Sequence, residues 1–185
     1  MLCATFLILG QSVKPVNADA LQLVELADQN AEGAAKSAKW VMKKGGKWVK
    51  MKTQNDHLDK DGMWRQDVND VTSVFSKKGQ FILVTVSDSS PSGDWFDTST
   101  YYFWPDKKLV KAEFSYLRID WAGQRVTRWF DRSGKQVLRE EKALSGTGED
   151  STNPEDVTRS KESRLGERRY PLTYSGLPFA KQIGR

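Results

Sequence analysis

Cysteine and histidine are almost missing from this chain, whose 185 residues contain one of each. A lone cysteine excludes an internal disulfide framework and a cysteine-rich metal site. A lone histidine excludes a multi-histidine metal centre within the chain. There is no Asn-x-Ser/Thr acceptor, no phosphate-binding glycine loop, no G-x-G-x-x-G fingerprint and no G-x-S-x-G elbow. No apolar run approaches the roughly 20 residues that span a bilayer. These absences remove the common cofactor and nucleophile classes. No cofactor, metal or catalytic set is therefore expected.

The length suits one domain. Residues 2–9 form an apolar run of signal-peptide length, and Ala18-Asp19-Ala20 offers an A-x-A cleavage pattern. Residues 1–20 are thus expected to be a signal peptide, and the product to be exported, periplasmic or secreted. Without cleavage the expectation becomes a cytoplasmic protein. The run lacks the usual preceding basic residue. Cys3 would leave with the signal.

From 21 to 44, Leu23, Ala27, Ala31, Ala34, Ala38 and Val41 recur at three- and four-residue steps. That spacing predicts a helix with one apolar stripe, stopped by Gly45-Gly46. Beyond residue 46 the pattern alternates. Strands are expected at 47–52, 63–76, 81–88, 97–104, 109–120, 124–131 and 135–143, joined by turn chemistry such as Pro105-Asp106 and Ser133-Gly134. Short joints with no intervening helix predict an antiparallel meander. The expected fold over 21–145 is α+β: an N-terminal helix on one sheet of about six to seven strands, flat or curled toward a half-barrel. Residues 146–169 are polar and charged, which predicts a disordered linker. Residues 170–185 carry Tyr170, Pro171, Leu172, Tyr174, Leu177, Pro178 and Phe179, an extended apolar end. The hairpins 102–110 and 129–137 resemble each other, but two copies do not make a repeat fold.

Three features carry possible chemistry. Eleven of the twenty aromatic residues lie between 95 and 130, so both faces of the central sheet hold large rings. Tyr101 and Phe103 share one face. Tyr102 and Trp104 share the other, and Trp129 opposes Val126 and Phe130. One helix covers only one face. The second is expected either to lie under residues 170–179 or to bind a protein or apolar ligand, with Tyr102, Trp104 and Trp129 as its candidate residues. Next, seven lysines and two tryptophans fall within 36–52 with no acid among them. They exceed the whole net charge of +5, so the remainder is slightly acidic. Lys43, Lys44, Lys47 and Lys50 are candidates for contact with an anionic envelope polymer or lipid surface. Without an arginine or a nucleic-acid motif there, nucleic acid is not the expected partner.

Last, Asp59, Asp61 and Gly62 match the middle of a calcium loop, but His57 and Val68 stand where its end carboxylates belong. His57 beside Asp59 and Asp61 is the alternative candidate for a small hydrolase. The string Gln66-Asp67-Val68-Asn69-Asp70 resembles the Q-x-V-x-G of cystatin-like inhibitors, with Asp in place of the glycine, and no inhibitor role follows from it. The favoured expectation is an exported, non-enzymatic binding module using an aromatic sheet face.

Overall fold

The computed structural model describes residues 16–31, 33, 37–119, 121–161 and 165–183. The apolar run, Cys3 and Lys36 lie outside the described residues. Helix α1 spans Ala18–Gln29 and buries Ala20, Leu23, Val24 and Ala27 along one stripe. Its cap is Asn17, whose side chain accepts a hydrogen bond from the Asp19 amide at 2.8 Å. The triplet expected as a cleavage site therefore forms the first turn of α1, with Ala20 buried.

The helical pattern read through residue 44 gives way to a strand. β1 spans Lys39–Lys44 and pairs with β2, Lys47–Lys50. Gly45 and Gly46 have φ of 55° and 79°, the left-handed pair of a two-residue hairpin turn, rather than a helix stop. Trp40, Val41 and Met42 fit either period locally. Pairing with both neighbours makes them a strand.

The sheet continues through β3 (Val68–Lys77), β4 (Phe81–Ser89), β5 (Trp95–Phe103), β6 (Leu109–Arg118), β7 (Ala122–Phe130), β8 (Gln136–Leu144) and β9 (Asp150–Ser151). All nine strands form one open antiparallel sheet in the order β2-β1-β3-β4-β5-β6-β7-β8-β9. The strands beyond the expected six to seven are β1 and the two-residue β9. Residues 146–169, expected as a linker, carry β9, helix α2 (Pro154–Ser160) and a 3-10 turn at Leu165–Glu167. Composition misleads here because the segment builds no core of its own. It docks on one already made, and Leu165 is buried against the sheet.

Two covers clothe opposite faces. On the helix face, α1 packs over Phe81, Leu83, Tyr102, Trp104, Val110 and Trp129. The Tyr102 hydroxyl ties the layers by donating to Asp28 at 2.7 Å. The other face carries Val41, Val84, Tyr101, Phe103, Phe114, Val126 and Phe130. It is covered by a strap, residues 165–183, which includes a 3-10 turn at Tyr174–Gly176 and helix α3 (Ala180–Ile183). The strap buries Tyr174, Leu177, Phe179 and Ile183, roughly 1.5–3 kcal/mol for each such side chain. Backbone bonds from Leu109 N to Leu172 O (3.0 Å) and from Tyr174 N to Lys107 O (2.9 Å) fix its path. Arg168 grips the Asp97 carboxylate with both terminal nitrogens and reaches Ser99 Oγ at 3.0 Å.

Candidate functional site

Tyr102, Trp104 and Trp129 do not form an open face. They are 6%, 5% and 7% exposed and pack beneath α1. The Arg132 guanidinium lies 3.5 Å from the centre of the Trp104 ring. Alternation grouped Tyr102 and Trp104 together, but it carried no information on which face the helix selects.

The four lysines do not form one patch. Register places Lys43 and Lys50 on the strap face, either side of Trp48, and Lys44 and Lys47 on the helix face. Lys43 pairs with Asp70 at 3.5 Å and Lys44 with Asp67 at 3.2 Å. Two hydrogen bonds and the Lys44 charge, with Arg65 the stronger partner, hold the Asp67 carboxyl down at about 2.

His57 is half-buried, with its ring edge-on to Trp64 at 4.8 Å between centroids. Burial pulls its pKa below the usual value, and the Gln54 backbone and Asp56 oppose that pull. Asp59 accepts from the amides of Asp61 (2.9 Å) and Met63 (3.0 Å), so its carboxylate closes the turn. Asp56 likewise accepts from the Lys52 amide at 2.6 Å. The loop's acids hold the loop together, and no nucleophile is brought to the imidazole among the described residues. Among those residues no group of three His, Cys, Asp or Glu side chains is placed to hold a metal ion. Among the described residues no helix is long and apolar enough to cross a membrane.

A groove of about 580 Å³ opens between the β1–β2 hairpin, the sheet and the strap. Its walls are Trp48, Tyr101, Tyr170, Leu177 and Phe179, with Lys43, Asp70 and Arg169 as its charged members. Local pairing explains the assembly. Lys43 faces Trp48 across β2 and Asp70 across β3. Phe179 then seats edge-on against Trp48 with centroids 4.8 Å apart. Lys43 and Asp70 neutralise each other at the groove wall. Arg169 is exposed, and no described carboxylate lies within ion-pair distance of it. The groove is therefore apolar on its sides and cationic at one rim.

Beside it, Asp88 and Asp97 face each other on β4 and β5, and Asp70 stands one strand away on β3. Burial, chiefly, raises the Asp88 carboxyl to about 6. The Asp70 and Asp97 charges add to the rise, and the Ser89 amide and Lys43 oppose it. Arg168 occupies Asp97. Arg169, Tyr170 and Tyr101 were not singled out in the sequence as binding residues. The only signals for them were the apolar end at 170–179 and the placement of Tyr101 opposite Tyr102. No family model matches the chain, and neither does any curated protein or solved structure.

Proposed function

We propose that this protein is an exported, non-enzymatic binding module. It holds a small amphipathic anion in the groove between the β1–β2 hairpin and the strap. One observation supports this above the rest: aromatic and aliphatic walls converge with an exposed arginine, Arg169, that has no carboxylate partner among the described residues, at one rim. The apolar body of a ligand would lie against Trp48, Tyr170 and Leu177, and its acid group would meet Arg169. The aromatic sheet face contributes through Tyr101, on the side opposite Tyr102. Attachment to an anionic surface through residues 36–52 is less favoured, because their lysines divide between two faces. An enzyme centred on His57 is less favoured because Asp59 is occupied within its own turn.

The test uses dodecanoate and dodecyltrimethylammonium below their micelle concentrations, with binding followed by calorimetry and tryptophan fluorescence. Dodecanoate should bind and the cation should not. Arg169→Gln should weaken dodecanoate about tenfold, the value of one charge-assisted hydrogen bond. Equal binding of both probes, or binding of neither, would overturn the reading.

A further inference from the structure

The helix face is only partly covered by α1. Register sorts its side chains into rows that cross the strands. The row under α1 is Leu83–Tyr102–Lys111–Trp129–Leu138. The next two rows are polar. Thr85, Thr100 and Thr127 stand in one, with Glu113 between the last two and Glu140 beyond Thr127. Ser87, Thr98 and Ser115 stand in the other, followed by Arg125 and Lys142. A last row places Phe96, 43% exposed, opposite Leu117. The result is a polar trough two rows wide, bounded by α1 on one side and by the Phe96 rim on the other.

Three properties of the trough point to its ligand. First, all six hydroxyls are partly exposed, and none makes a hydrogen bond to another described residue. Each can donate one bond and accept two, which complements a ligand that is itself a hydroxyl array. Second, the charges are nearly balanced. Glu113 pairs with Lys111 at 3.0 Å, and Arg125 and Lys142 both pair with Asp150, at 2.8 and 2.5 Å. That leaves no field to attract a polyanion. Third, the hydroxyls repeat about every 4.8 Å across strands and ~6.8 Å along them. The cross-strand repeat is close to the rise per sugar of an extended β-linked chain. Phe96 offers a flat apolar face at the rim, where a sugar ring can stack.

We propose that this trough binds a neutral, extended polysaccharide lying across β4 to β7. The surface is separate from the groove, which lies on the other face of the sheet.

The experiment is native electrophoresis of the full chain in gels containing hydroxyethylcellulose or mixed-linkage β-glucan. Migration should be retarded in at least one polymer, equally at low and high salt. The double variant Thr98→Val/Thr100→Val removes two hydroxyls and keeps the β-branched shape. It should weaken binding about tenfold at unchanged melting temperature. Thr98→Ser/Thr100→Ser should retain binding, and Phe96→Ala should lose most of it without affecting the fold. Arg169→Gln, which disables the groove, should be retarded by the polymer as much as the parent, each measured against its own migration in a polymer-free gel, so the two readings fail independently. No retardation in either polymer would overturn the proposal. So would retardation abolished by salt, or both the Val pair and Phe96→Ala migrating like the parent.

Discussion

Asp88 shows how one side chain reports its surroundings. Its carboxyl sits near 6 rather than 3.8 because burial disfavours the charge and Asp70 and Asp97 repel it. The folded protein holds this proton more tightly than the unfolded chain does. Asp88 therefore favours the fold when protonated, and that advantage is lost as pH rises from about 4 through about 6. Asp88→Asn should raise the melting temperature at pH 7.5 and leave it nearly unchanged at pH 3.5. Thermal melts at the two pH values check this. Asp56, Asp67, Asp131 and Asp150 act in the opposite sense, since hydrogen bonds hold their carboxyls below the ordinary range. Their contribution is present above the unfolded value and is lost on acidification. None of this was legible in the sequence. Alternation correctly separated Tyr101 and Phe103 from Tyr102 and Trp104, but burial of a given side depends on residues far along the chain.

At the scale of elements, the resemblance between residues 102–110 and 129–137 has a geometric content. Both segments close the same four-residue turn. Trp104 N bonds Lys108 O at 2.9 Å, and Asp131 N bonds Lys135 O at 2.9 Å. Each hairpin also shifts register at the matching place, Tyr102/Phe103 and Trp129/Phe130. The turns need a left-handed residue at equivalent positions. Gly134 supplies it with φ of 85°, whereas Lys107 is forced to 71°. Left-handed backbone costs a residue with a Cβ about 1–2 kcal/mol, and glycine's extra unfolded-state freedom offsets part of any gain. Lys107→Gly should therefore raise stability by about 0.5 to 1 kcal/mol, measured by urea denaturation. Turns and strands were legible because their signals are local. The first strand was hidden because Trp40, Val41 and Met42 suit two periods, and only their partners on β2 and β3 decide between them.

Across the whole molecule, β3 to β9 follow one another as neighbours, whereas β1 sits between β2 and β3 and departs from the expected meander, and the two covers are long-range additions. Asp28 meets Tyr102, Arg168 meets Asp97, and the Lys39 ammonium reaches the Ile183 carbonyl at 3.2 Å. Such contacts leave no periodic trace, which is why composition alone made residues 146–169 a linker. The strap's weight can be measured. Phe179 is 1% exposed and touches Trp48, so Phe179→Ala should cost about 3–5 kcal/mol. Urea denaturation would give the loss. Faster hydrogen exchange at the Leu109 and Tyr174 amides, which the strap's path protects, would locate it.

The strap follows every strand in chain order. On the ribosome, hairpins can form one after another as they emerge, while Tyr101, Phe103, Phe114 and Phe130 wait uncovered. A nascent chain halted after β8 would present that bare aromatic face to its neighbours, and exposed surface of this kind is what drives misassembly. The order of the elements thus makes the interval between completion of β8 and arrival of the strap the one in which this aromatic face stands bare.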